Sequence, residues 1–387
     1  MILKTVNYAE LENTPQEWRL EDLSLSSTNL IVGKNATGKS RALSIIRVLA
    51  RNLAGLDKPG LSSKYDVVFD NEGKRIDYHL HYEEFQVVTE RVEVEGKVVL
   101  NRGSGGEGTI LAEEIDGGKD VRFQTPISEL AVVARRDSIQ HSFLEPLHSW
   151  GSSLRHYPFG TSLGKALLMV HTDEKGPKIL DEWDPNIVIA IYKRAEKEIG
   201  EKFKKTLIQD MLQLDYGLED LGVKPPVSIR IMSGPPGGVD GLYVKEKDLP
   251  GITDQHSMSQ GMFRALSLLI QVNYSQMSGK SMCILVDDIG EGLDFDRSCR
   301  LIDLLREKTI KHNNQLVLSS NDKFVMNRVP LEEWSVLKRE SNLVRVLNYD
   351  NSRNLFEEFK FTGLSNFSFL EMDFASGPPA EESEGHE

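Results

Sequence analysis

An α/β fold is what this sequence predicts: a mixed central sheet flanked by helices, with an antiparallel β subdomain and a helical insertion. Three observations predict it. An apolar run at 27–32 leads through a glycine-bearing loop into apolar residues at helical spacing over 41–53. A second apolar run, Cys283, Ile284, Leu285 and Val286, ends on Asp287 and Asp288. Between them, residues 65–101 alternate apolar and polar in the manner of strands. The chain has 387 residues, 39% hydrophobic and 27% charged, which is ample for a core and excludes wholesale disorder.

The first run carries the sharpest chemistry. Gly33, Lys34, Asn35, Ala36, Thr37, Gly38, Lys39 and Ser40 match G-x-x-x-x-G-K-[ST] between a strand and a helix. Gly33 and Gly38 let the backbone curl so that successive N–H groups face phosphate oxygens. The start of the following helix, at Arg41, adds a partial positive charge. Lys39 is expected to reach the β- and γ-phosphates of ATP, and the Ser40 hydroxyl to ligate Mg2+.

The second run supplies the opposite sign. A carboxylate at a strand's C-terminal end faces the nucleotide crevice of an α/β sheet. Asp287 is placed to hold the metal opposite Ser40, and Asp288 to orient or deprotonate an attacking water. Upstream, Ser257, Met258, Ser259, Gln260 and Gly261 open a buried helix.

With these residues in view, the chain resembles the ABC-type ATPases of the P-loop NTPase class, in the SMC, RecF and OLD-like branch. The loop resembles that branch's G-x-N-x-x-G-K-S, Asn35 included. Ser259 and Gly261 stand in the positions of its L-S-x-G signature. The run into Asp287 and Asp288 resembles Walker B, 288–294 resembles the D-loop with Asp294, and 316–321 leads to the switch position at Asn321. The resemblance spans residues 29 to 321. It implies a composite site: a homodimer formed on ATP binding, each copy's phosphate loop facing the other's signature, and hydrolysis releasing the pair. It also implies a switch acting on a separate effector in anti-phage or mobile-element biology, a RecF-like clamp on DNA, or a non-hydrolysing nucleotide-bound scaffold. Three positions depart from the family. Asp288 replaces a glutamate, with Glu291 as an assisting carboxylate. Asn321 replaces a histidine, and Ala36 replaces a glycine. The first two imply slow turnover. The family's metal-coupling glutamine falls to Gln140, with Gln124 as its rival.

The remaining elements follow in order. Turns at Asn71, Glu72 and Gly73 and at Glu95 and Gly96 divide 65–101 into an antiparallel sheet, and Gly103 to Gly118 reads as a mobile loop. Asp184 and Pro185 open a helix of about 28 residues, with apolar residues from Ile187 to Met211. Its basic face, Lys193, Arg194, Lys197, Lys202, Lys204 and Lys205, meets DNA or an acidic partner, or is a solvated face interleaved with glutamates. Nothing here sustains the long heptads of a chromosome tether. Residues 233–238 read as a hairpin tip. The segments ending in Glu340 and Tyr349 form a hairpin, and six phenylalanines crowd 356–374 as core or as a docking strip. The 66 residues after Asn321 leave no space for a Toprim nuclease, so any such action is expected from another chain.

The expected organisation is one composite head over 1–373. Its parts are a phosphate-loop core with the antiparallel sheet (1–135), a helical and β insertion (136–258), the signature, Walker B and switch half (259–348) and an aromatic segment (349–373). A disordered acidic tail follows at 374–387. The chain carries 46 basic and 59 acidic residues, net −13. A protein that coats DNA with its whole surface is basic, so any DNA contact comes from a local groove or a partner. Two cysteines exclude a disulfide scaffold and a Cys-rich zinc module. His79 and His81 share one strand face without a third ligand. With neither a signal peptide nor a membrane span in the pattern, a cytoplasmic protein is expected.

Overall fold

The computed structural model describes residues 1–113, 118–170, 181–228, 238–279 and 282–374. The chain opens with Ile2–Glu10 (β1), Trp18–Ser24 (β2), Thr28–Val32 (β3) and Lys39–Leu53 (α1). Ser62–Asn71 (β4), Lys74–Glu83 (β5), Gln86–Val94 (β6), Lys97–Arg102 (β7), Glu107–Ala112 (β8) and Lys119–Gln124 (β9) follow as an antiparallel meander. Ala131–Ala134 (α2) and Glu145–Ser153 (α3) lead to Arg155–Pro158 (β10). The insertion holds Met169–Val170 (β11), Val188–Ile199 (α4), Glu201–Gln213 (α5), Leu218–Lys224 (β12), Val239–Glu246 (β13) and Thr253–Asp254 (β14). Gln260–Met277 (α6), Cys283–Asp287 (β15), Phe295–Lys311 (α7), Gln315–Ser319 (β16) and Lys323–Arg328 (α8) come next. Trp334–Glu340 (β17), Leu343–Asn348 (β18), Arg353–Phe361 (α9) and Ser368–Glu371 (α10) close the described chain.

The α/β class is what the structure contains. Among the described residues one 14-stranded sheet runs in the order β10-β15-β16-β3-β17-β18-β2-β1-β4-β5-β6-β7-β8-β9. From β10 to β17 neighbouring strands are parallel, and from β1 to β9 they are antiparallel. The parallel strands are covered on both faces, so they read as continuous apolar runs. Side-chain alternation shares them between two cores. Leu30 and Val32 join one with Ile284 and Val286, while Ile31 joins the other with Cys283 and Leu285. Burial pushes the Cys283 thiol up to about 12, which leaves it inert.

Several sequence expectations change. The Gly-rich stretch is a tight turn feeding a hairpin: Gly105 and Gly106 take φ of 82° and 87°, and β8 and β9 then pair. Gly108 is required there, because a Cβ would stand 2.4 Å from Asn101 O. Residues 114–117 lie outside the described residues, as do 233–237 of the expected hairpin tip and 375–387 of the expected acidic tail. The long insertion helix is two helices. Gly200 at φ 71° breaks it, although the apolar stripe runs on from Ile199 to Phe203. The start also shifts, since Asp184 Oδ1 accepts the Asn186 N–H in a turn and helix begins only at Val188. Much of its basic face is paired within the chain, Lys193 with Asp240, Arg194 with Glu182 and Glu198, and Lys204 with Asp220. Of the six phenylalanines, Phe356, Phe359, Phe369 and Phe374 pack together as core, whereas Phe361 is 90% exposed.

Candidate active site

The parallel arrangement brings three strand ends together. β16 lies between β3 and β15, in register through Leu30, Leu318 and Val286. The loop after β3, the carboxylates ending β15 and Ser319 ending β16 therefore share one edge of the sheet. The phosphate loop is tightly wound. A Cβ on Gly33 would stand 2.7 Å from Thr37 Oγ1 and 2.9 Å from Leu337 O, while Thr37 Oγ1 donates to Lys34 O at 2.9 Å. Gly38 closes the turn at φ 107° and precedes α1. Ala36, at the position where the ATPases the loop resembles have glycine, is held at φ 64°. Asn35, Ser40 and Arg41 are exposed along this mouth.

Lys39 is buried, and its ammonium donates to Gly33 O at 2.9 Å and Lys34 O at 3.2 Å. Burial lowers its pKa, and Asp288 and Asp287 pull it back up. A cation held there by carbonyl dipoles is suited to an incoming anion. Opposite it, Asp288 sits at φ 54°, a strained conformation for a residue with a side chain. Burial raises its carboxyl above the ordinary aspartate value, the neighbouring Asp287 and Glu291 charges raise it further, and Lys39 lowers it. Asp288, Glu291 and Asn321 share a cleft of about 320 Å3 with Ile289, Ser320 and Asp322.

Two residues not singled out in the sequence organise this edge. Ser319 donates its hydroxyl to Asp287 Oδ1 and accepts the Asp288 N–H at 3.0 Å, so one side chain ties the Asp287 carboxylate to the Asp288 backbone. Arg264 lies on α6, three residues after Gly261. Its guanidinium donates to Thr161 O and Gly160 O, both at 2.7 Å, and to Glu291 O at 2.8 Å. It joins the signature helix to the loop after β10 and to the turn after β15. A buried arginine in an apolar helix is the one sequence signal that could have found it.

Ser259 and Asp294 act in this chain as helix caps. Ser259 Oγ accepts the Met262 N–H at 3.2 Å, and Asp294 accepts the Arg297 N–H at 2.9 Å, which holds its carboxyl low. A Cβ on Gly261 would stand 2.3 Å from Gly292 O, so the helix start abuts the 290–293 turn. Gly261 meets that turn, while Ser259 stays exposed at the helix start.

Gln140 is not brought to the site. Its N–H donates to Asp137 and its carbonyl accepts from Glu113 N, beyond the end of β8. Nearby Ser142 lines a cleft with Met282, at the end of β15 opposite Asp287. Val133 packs on Gly55, past the C-terminus of α1, which at 15 residues is about 22 Å long. Gln124, on edge strand β9, pairs with Glu107 and lies at the opposite end of the sheet order from β10 and β15. The strand that does end beside Asp287 is β10. Phe159 N donates to Asp287 O at 2.8 Å, and Gly160 faces Asp288 and Glu291. That loop contains no glutamine. His79 and His81 are bonded to Asp66 and Glu83, and no cluster of metal-ligating side chains occurs among the described residues. No described helix is long and apolar enough to cross a membrane.

No protein-family model matches this sequence, and neither does any curated protein. Among solved structures the chain is similar to an SMC head bound to the C-winged helix domain of ScpA. The TM-score is 0.49 at 12% identity, covering 90% of this chain and 97% of that one. It is similar to the SMC head domain from Thermotoga maritima, at TM-score 0.43 and 14% identity over 90% and 99% of the two chains. A third likeness is to the Smc head domain with an extended coiled coil bound to the C-terminal domain of ScpA from Pyrococcus furiosus. Its TM-score is 0.47 at 12% identity, over 93% and 99%.

Proposed function

We propose that this chain binds ATP with Mg2+ and hydrolyses it slowly, as an ABC-type ATPase whose site is completed by a second copy, and that the pairing switches a separate effector. The observation that carries the reading is the convergence of Lys39, Asp287 and Asp288 at one edge of the parallel sheet, where the loop after β3 and the end of β15 flank the end of β16, with the carboxylates favouring the Lys39 cation and the cation lowering the Asp288 carboxyl. Ser40 and Asp287 offer the hard oxygen donors that Mg2+ takes. When bound, that ion would neutralise charge on the β- and γ-phosphates. Lys39 would leave its two loop carbonyls for those oxygens. Asp288, with Ser319 fixing its backbone, would accept the proton of the attacking water as that oxygen bonds to the γ-phosphorus and the β–γ bridge breaks. A shorter side chain than glutamate and the neutral Asn321 both favour slow turnover. Ser259, exposed at a helix start, is suited to a γ-phosphate held by another copy.

The test is phosphate release and nucleotide binding by the wild type and Lys39→Ala. The wild type should release phosphate slowly but above the variant, and Lys39→Ala should lose at least about a hundredfold in ATP affinity. Asp288→Asn with ATP should sediment as a dimer. Equal ATP binding by Lys39→Ala and the wild type would remove the basis of the reading. Binding without any phosphate release would favour the non-hydrolysing scaffold.

A further inference from the structure

Arg41 stands in the first turn of α1, where a cation opposes the helix dipole. Its guanidinium lies over the Trp18 ring, 4.4 Å from the centroid, and one edge is tied to Glu10. Glu10 is fixed in turn, since its Oε2 accepts the Tyr8 hydroxyl at 2.5 Å, and that hydroxyl lies 2.8 Å from Ser63 Oγ. Trp18 is almost fully buried and carries Gly38 on the same ring, where an added Cβ would stand 3.1 Å from Cζ2. The phosphate loop and the guanidinium thus rest on one rigid floor. The Arg41 side chain stays 42% exposed, so its face away from Trp18 is open.

A second arginine flanks the loop. Arg339, on β17, donates to Ala36 O at 3.1 Å and to Ser341 O at 2.8 Å. Burial lowers the Arg41 pKa, and the like charge of Arg339 lowers it further, against the pull of Tyr8. Beyond Arg339, the 341–342 turn reaches β2, where Asn342 O accepts the Arg19 N–H at 2.9 Å.

We propose that Arg41, stacked on Trp18 and pinned by Glu10, is the platform on which the base of a bound nucleoside triphosphate lies. The proposal rests on the nucleotide reading above and extends it from the phosphates to the base. A guanidinium is planar and weakly hydrated, so it stacks on π-faces, and a pinned one loses little freedom on binding. Stacking reads only the face of a base, which all bases share. Both Glu10 oxygens already bond Arg41 or Tyr8, which turns the carboxylate toward the floor rather than toward a base edge. ATP and GTP should bind alike.

The experiment compares ATP, GTP and inorganic tripolyphosphate, each with Mg2+, binding to the full chain and to Arg41→Ala and Arg41→Lys. Thermal melting of both variants checks that they fold. Arg41→Ala should weaken ATP and GTP about tenfold, the scale of one lost base stack, and leave tripolyphosphate within about twofold. Arg41→Lys keeps the charge but loses the plane, and should resemble Arg41→Ala. Equal weakening of ATP and tripolyphosphate would make Arg41 a phosphate contact and overturn the proposal. So would unchanged ATP affinity in Arg41→Ala, or full rescue by lysine. A wild type that binds tripolyphosphate while Arg41→Ala keeps its ATP affinity defeats the platform alone. A wild type that binds neither defeats the nucleotide reading and the platform with it.

Discussion

The phosphate-loop edge and the signature edge of this molecule are held in different ways. At the first, groups sit in unfavourable states. Lys39 is a buried cation bonded to carbonyls, Asp288 has a left-handed backbone and a carboxyl raised by its neighbours, and Ala36 occupies a conformation suited to glycine. At the second, every residue is satisfied. Ser259 and Asp294 cap helices, Gly261 fits against the 290–293 turn, and Arg264 donates to three carbonyls through all three of its nitrogens. Strain at one edge and ordinary helix chemistry at the other fits the shared site proposed above. On the proposed reading, the first edge is poised for a ligand and the second would gain a function only when another copy brings one.

The largest expected effect breaks the strained side. Asp288→Asn should cut hydrolysis at least about a hundredfold with ATP affinity kept, read by single-turnover phosphate release. It should also raise the melting temperature at neutral pH. The folded pKa of Asp288 lies above its unfolded value, so its ionisation costs stability as pH rises through that folded value. The advantage of the asparagine should therefore vanish in acid, where Asp288 is protonated. For the same reason wild-type turnover should fall with decreasing pH earlier than an ordinary aspartate would dictate. A variant no more stable at pH 7 than at pH 4, relative to wild type, would contradict this.

Gly261→Ala comes next and attacks the satisfied side. A methyl 2.3 Å from Gly292 O must push the helix start off the turn, at about 1–3 kcal/mol of stability by denaturant titration. Ser259→Ala should cost about 1 kcal/mol as a lost cap, in every nucleotide state. Its effect on ATP hydrolysis should exceed that and fade on mixing with a copy that retains Ser259 but carries Lys39→Ala. A hydrolysis loss no larger than the stability loss explains would reduce Ser259 to a cap. The smallest effect sharpens the contrast: Ala36→Gly should relieve left-handed strain and gain up to about 1 kcal/mol.

The same division decides what the sequence could disclose. The strained edge is built from contiguous residues, 33–41 and 287–288, whose types only make sense together, so it was legible. Its organisers were not. Ser319, Arg264 and Arg339 act through partners 27 to 303 residues away, and a serine or arginine carries no sign of such a partner. Gln140 fits the metal-coupling role by residue type alone, and the topology puts β10 and Gly160 beside Asp287 and Asp288 instead. The meander from β4 to β7 was readable from alternation and from the turns at Glu72-Gly73 and Glu95-Gly96, all four at positive φ. β8 and β9 were hidden because their glycines signalled looseness where they in fact permit close strand packing. The break at Gly200 was hidden because the apolar stripe continues across it.

Trp18 has a practical consequence. The chain has four tryptophans; Trp150, Trp183 and Trp334 are packed away from the phosphate loop, against Phe69, between Arg51 and Arg155, and against Phe369. Only the Trp18 indole touches both Gly38 and Arg41. Any rearrangement of that corner alters the surroundings of a single intrinsic fluorophore, so the untagged, unlabelled protein carries its own optical reporter of occupancy.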